Sequence, residues 1–165
     1  MVEAAGFLVV VLDGWQVAIP LSAVERVARA VAVTPLAGAP EAVSGLVNVA
    51  GRILPVVPLR RRFGLPERAL ELGDHFVVAQ GSRRPVALWV DQATGVVAPA
   101  AQDVLSGDGL LPGVEVTAGT VRLADGLLVI HDLEAFLSAA EEEALRAALE
   151  EPGSGVGQVA EAEDG

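Results

Sequence analysis

A chain of 165 residues can bury roughly two-thirds of its unfolded surface, enough for one domain or two small, intimately packed units but tight for two independent cores. It contains no cysteine, and all eleven basic residues are arginine, so thiolate metal sites, a cysteine nucleophile, a Schiff-base lysine and a lysine-bearing phosphate loop are excluded. The net charge of −11 argues against a nucleic-acid partner, and no apolar run approaches the roughly 18 residues of a membrane span.

The opening MVEAAG has no basic residue, which predicts a cytoplasmic chain without membrane insertion. Phe7 to Leu12 (FLVVVL) and Trp15 to Leu21 (WQVAIPL) read as strands around Asp13-Gly14, a pair that tolerates the positive φ of a tight hairpin turn. Leu21, Val24 and Val27 recur every three residues, with Ser22 as a candidate N-cap, and predict one or two helical turns with Glu25 and Arg26 on the polar face. After a loop ending in Pro40, Gly45 to Leu59 (GLVNVAGRILPVVPL) spells a hairpin around Ala50-Gly51. Arg60, Arg61 and Arg62 then read either as a contact for an acidic partner or as a solvated exit into the loop Gly64 to Pro66. Further turns are expected at Gly81-Ser82 and Asp125-Gly126, and Asp91 closes the apolar strand Val86 to Val90 as an acceptor of backbone hydrogen bonds.

Ser138 and Glu141 form a capping box ahead of a helix to about Glu151, in which Leu145 and Leu149 lie one turn apart and Glu141 to Glu143 form a solvated face. Pro152 and the glycine-rich GSGVG end it, and residues 152–165 carry too little apolar surface to offset ordering entropy, so a disordered acidic tail is expected. Residues 153–157 lack the preceding strand and following helix of a dinucleotide site. The organisation is therefore a body over 1–137, a helix over 138–151 and a tail over 152–165.

Catalytic inventory is thin. His75 and His131 are not at metal-ligand spacing, no Gly-x-Ser-x-Gly elbow accompanies His131-Asp132, and Asp13, Asp108 and Asp125 each precede glycine as turn residues. No metal and no cofactor is expected, and the chain is not expected to be an enzyme. Short strands rich in valine and leucine, with six aromatic residues in all, fit small filled barrels rather than a wide ligand cavity.

Gly45, two residues, Asn48, then Gly51 and an Ile/Val-Pro-Val-x-x-Leu strand resemble the CheW family of chemotaxis coupling proteins. Val90-Asp91 with Val96 and the segment Thr117 to Phe136 are similar to that family's later motifs, so the resemblance covers about residues 7–137. It implies an all-β fold of two packed five-stranded small barrels, a short helix after the second strand, and a hydrophobic groove where the barrels meet. It also implies a non-catalytic adaptor that binds the cytoplasmic tip of a methyl-accepting chemoreceptor and, on another face, the regulatory domain of a CheA-type histidine kinase.

Carried over, the receptor-facing residues are Val24, Arg26 and Val27 on the short helix and Asn48, Val49, Ala50 and Gly51 at the hairpin. Val31 and Val33, on the following strand, fall to the kinase-facing side, while Asp13, Gly14, Gly45, Asp91, Asp125 and Gly126 are structural turn positions. Members of the family commonly carry Arg where this chain has Ala50 and an acid where it has Arg26, differences of about 1 to 3 kcal/mol each if desolvated. Pro58 stands where Asp is frequent and predicts an edge strand. These departures leave a second reading open, a CheW-like scaffold in a non-chemotaxis signalling, motility or polarity system with altered partners.

Overall fold

The first hairpin turns on two residues held at positive φ, Asp13 (51°) and Gly14 (83°), the mirror-image turn whose twist matches that of its strands. It joins β1 (Phe7–Leu12) to β2 (Trp15–Pro20) in a register from Phe7 opposite Pro20 to Leu12 opposite Trp15. The structure, a computed structural model, describes residues 6–81, 83–98, 104–105, 117–123, 126–131, 139–150 and 161–162. Ser82, Asp108, Asp125 and Ser138, and with them the turn and capping expectations at those positions, lie outside the described residues.

One 3₁₀ turn, Leu21–Ala23, follows β2, and the predicted helix goes no further. Val24, Arg26 and Val27 instead lie on a strand, β3 (Val24–Arg29), paired antiparallel with β6 (His75–Gln80). The register slips between Val24 and Arg26, so one extra residue bulges out. The bulge brings Val24 and Val27 to one face, where both pack half-buried against the larger core cluster. A bulged strand thus imitates the three-residue period of a helix.

Val31 and Val33 do not lie on a strand either. Pro35, Gly38 and Pro40 break up residues 30–44, whose only ladder contact is an isolated bridge from Thr34 to Leu46. Both valines are half-buried against the smaller core cluster.

β4 (Gly45–Val49) and β5 (Arg52–Pro58) form the second hairpin, with Ala50 at φ 52° and Gly51 at 88°. β5 lies between β4 and β7 (Pro85–Val90), so the edge position predicted from Pro58 is corrected. Pro58 ends the strand and, at φ −69°, leads into the single-turn helix α1 (Leu59–Arg62), a position where its missing N–H does no harm.

β8 (Gln92–Val97), β9 (Val104–Leu105), β10 (Thr117–Leu123), β11 (Gly126–His131), α2 (Ala139–Glu150) and β12 (Glu161–Ala162) complete the chain. Gly126 sits opposite Leu123 as the first residue of β11, so it belongs to the strand rather than to the turn.

Two mixed, six-stranded sheets result, ordered β8-β1-β2-β11-β10-β9 and β12-β4-β5-β7-β6-β3. These are not the closed five-stranded barrels expected, because among the described residues the outermost strands of each sheet do not pair with one another. The second sheet nevertheless curls, since the Thr34 bridge and a 2.8 Å ion pair from Glu25 to Arg52 draw the β3 side back towards β4 and β5. The first sheet collects both ends of the body, with β11 parallel to β2, and the second is built mainly from the middle.

Alternation along the strands sends side chains to two cores. The larger joins Val10, Leu12 and Ile19 of the first sheet to Val77, Leu88 and Val90 of the second, with Leu145 and Ala148 of α2 sealed against it. The smaller lies on the other face of the second sheet, around Phe76, Val47 and Val56. Two of the acids expected on a solvated helix face instead dock α2: Glu142 is 4% exposed and pairs with Arg84 at 2.9 Å, and Glu141 meets Arg62 at 3.1 Å. Within the expected disordered tail, Glu161–Ala162 form a short strand, because the outer edge of β4 presents backbone groups for it to pair with.

Candidate functional site

The two groups of residues proposed to face a receptor come from β3 and from the β4–β5 turn, and the Glu25–Arg52 pair holds their bases together. Both partners are well exposed, so the bond contributes at most about 1 kcal/mol and acts mainly to fix position. Arg26, Ala50 and Gly51 are exposed, Val24 and Val27 are half-buried, and Val49 is only 2% exposed. Val49 therefore faces the core, not a partner.

Asn48 also serves the turn, its Oδ1 accepting the Gly51 N–H at 2.8 Å. Gly45 is required by a close approach: a Cβ there would lie 2.2 Å from the Thr34 carbonyl oxygen, and φ is 155°. The Gly-x-x-Asn signature thus has two physical causes, one glycine under a crossing backbone and one amide closing a turn.

A second constellation spans the two sheets. Arg60 grips Asp91 with two hydrogen bonds (2.8 and 2.6 Å), and Asp91 also accepts the Asp13 N–H at 2.8 Å across the junction. Asp91 therefore does accept a backbone hydrogen bond, though from the hairpin of the other sheet. Arg68 bridges Asp91 (3.3 Å) and Asp74, to which it donates twice at 2.8 Å; Asp74 also accepts from the Trp89 indole (3.0 Å) and the Glu71 N–H (2.9 Å).

Burial is the largest single influence on the carboxyls of Asp74 and Asp91 and pushes both upward, but the hydrogen bonds from Arg68, the Glu71 N–H and the Trp89 indole to Asp74, and from Arg60 and the Asp13 N–H to Asp91, together with the arginine charges, outweigh it and hold both below the usual carboxylate range. Asp91 and Asp74 hold Arg60 and Arg68 above the ordinary guanidinium value, despite the opposing cost of burial. Such fixed charges suit a clamp, not proton transfer.

Arg61 pairs with Glu67 at 2.8 Å and Arg62 with Glu141, so the arginine run is matched by acids within the chain. His75 Nδ1 accepts the Ala93 N–H at 3.2 Å. Among the described residues no group of His, Cys, Asp and Glu is arranged to hold a metal, and no helix is long and apolar enough to cross a membrane.

A family model described as a CheW-like domain matches residues 6–141. The chain belongs to the CheW-like domain family. It is 29% identical over 129 residues to a "Chemotaxis protein CheW" of Treponema pallidum, covering 74% of this chain and 76% of that one. It is 24% identical over 137 residues to one of Klebsiella aerogenes, covering 82% of each. The solved scaffolding protein TtCheW of Thermoanaerobacter tengcongensis superposes with a TM-score of 0.75 at 19% identity, over 83% of this chain and 94% of that one, a likeness of fold.

Against this CheW-like background the departures at 26 and 50 take on a local meaning. No guanidinium stands at Ala50 and no acid at position 26, yet Glu25 and Arg52, one and two residues away, supply an acid and a guanidinium joined to each other at the same place. The sequence reading put Glu25 on a helix face and passed over Arg52. It also missed Asp74, whose only sequence signal is a lone acid before the apolar run of β6.

Proposed function

We propose that this chain is a non-catalytic adaptor joining the cytoplasmic tip of a methyl-accepting chemoreceptor to the regulatory domain of a CheA-type histidine kinase. The observation that carries this reading is membership of the CheW-like family across residues 6–141, supported by relatives named as chemotaxis proteins. The receptor-facing surface is formed by Arg26, Ala50 and Gly51, with Val24 and Val27 at its margin and Asn48 and Val49 beneath, holding the turn. Each apolar side chain that a partner fully covers contributes about 1.5 to 3 kcal/mol, which suffices for a protein interface without a deep pocket. Val31 and Val33, in the loop after β3, are assigned to the kinase-facing side.

Titration calorimetry of the chain with a receptor-tip fragment and, separately, with the kinase regulatory domain tests the reading. Dissociation constants in the micromolar range are expected for both, and absence of both complexes at about 100 μM overturns it. Ala50→Arg places a guanidinium on the exposed turn and is expected to change receptor affinity about fivefold or more while leaving kinase affinity within about twofold. Unchanged receptor affinity removes Ala50 from the surface.

A further inference from the structure

β4 has β5 on one side and a partly open edge on the other. On that open edge Leu46 donates its N–H to the Thr34 carbonyl (2.8 Å) and accepts the Thr34 N–H (3.0 Å). Backbone groups alternate sides along a strand, so two residues later Asn48 turns its own N–H and C=O to the same edge, while Val47 and Val49 turn theirs to β5. β12 lies parallel on this stretch, with Glu161 opposite Asn48 and Ala162 opposite Val49.

We propose that the β4 edge at Asn48 is a strand-addition site, and that the chain's own acidic segment around Glu161–Ala162 is its displaceable occupant, competing with a partner for the adjoining turn. The competition rests on the adaptor reading; the seat of the segment does not. Parallel pairing runs Glu161 and Ala162 in the direction of β4, towards Ala50-Gly51, where Arg26 and Arg52 are exposed.

A two-residue ladder is short enough to open, and tethering favours its return. The residues between Glu150 and Glu161 can span up to about 36 Å, so the segment remains close to the edge when it leaves. A partner's apparent affinity then falls by the fraction of time the edge is covered. Coverage for about nine-tenths of the time weakens it about tenfold.

The test is residue-resolved amide exchange on the full chain, on a chain ending at Glu151, and on the full-length Ala162→Pro variant, which keeps the segment but removes a pairing N–H. The Asn48 amide is expected to exchange about tenfold faster in both variants, the β5-facing Val49 amide to stay unchanged as an internal control of folding, and a synthetic peptide of residues 156–165 to restore Asn48 protection. The receptor-tip fragment is expected to bind both variants about tenfold more tightly.

Equal Asn48 exchange in all three proteins overturns the seat. A faster Asn48 amide with unchanged receptor affinity, or with self-association at the freed edge and no gain for the receptor, overturns the competition. Failure of every protein to bind the fragment sinks the adaptor reading and the competition together, and the exchange result then decides the seat by itself.

Discussion

Ala50 and Asp13 are the non-glycine residues that the described backbone holds at positive φ, and each is followed by a glycine in the same two-residue turn. For alanine the left-handed region costs about 1 to 2 kcal/mol, which the Asn48-to-Gly51 hydrogen bond partly offsets. Position 50 is thus a strained, exposed tip supported from below, so its side chain is open to variation as long as Asn48 and Gly51 stay. Gly45 is the opposite case. Any side chain there meets the carbonyl of Thr34, a residue whose backbone is tied to Leu46 by two hydrogen bonds and cannot give way cheaply. Gly45→Ala is expected to destabilise the fold by about 3 kcal/mol, read as a lowered urea midpoint. A midpoint within experimental error of the parent would mean that the Thr34 crossing is not fixed as described.

Among elements, the chain of charges Asp13–Arg60–Asp91–Arg68–Asp74 links the first hairpin to β7 and to the approach to β6. Asp74 and Asp91 are both held below the usual carboxylate range, so at mildly acidic pH the unfolded chain takes up protons that the native chain does not. Their contribution is complete above the unfolded value of about 3.9 and is lost as pH falls through the depressed native values. The urea midpoint is expected to be insensitive to these groups above about pH 5 and to drop below about pH 4. Asp74→Asn should lower stability at neutral pH by about 3 kcal/mol, since it leaves Arg68 short of a partner, and should make the acid drop shallower. An unchanged acid limb in that variant would remove Asp74 from the clamp. The sequence disclosed the elements this clamp joins better than the clamp itself. Asp13-Gly14 and Ala50-Gly51 mark hairpins because the backbone demand is local. Arg60 and Asp91 lie 31 positions apart, so nothing in their spacing links them. The helix predicted over Leu21 to Val27 failed because a bulge borrows the helical period, and the acids of α2 were read as solvated because their partners, Arg84 and Arg62, come from distant segments. Of the set proposed to face a receptor, Arg26, Ala50 and Gly51 were named from the resemblance and lie exposed, whereas the burial of Val49 depends on which face of a curled sheet it occupies.

At the scale of the whole molecule, the first sheet cannot be completed from contiguous chain. β1 and β2 lie at one end of the body and β10 and β11 at the other, with the second sheet's central strands between them in sequence. Both sheets also contribute to one shared core, so removing either exposes the other's apolar face. Such interleaving predicts a single cooperative unfolding transition instead of two, in spite of the two-sheet architecture. The two tryptophans allow a direct check, since Trp15 belongs to the first sheet and Trp89 to the second. Trp15 is 53% exposed, so Trp15→Phe should change stability by no more than about 0.5 kcal/mol and leave Trp89 as the sole reporter. In that variant the urea midpoint from fluorescence, which follows the second sheet, is expected to coincide with that from far-ultraviolet circular dichroism, which follows both. If the fluorescence transition separates from the circular-dichroism transition, the sheets unfold as independent units and the shared core does not couple them. Coincidence would mean that both sheets and α2, whose Leu145 and Ala148 seal the shared core, unfold as one cooperative unit.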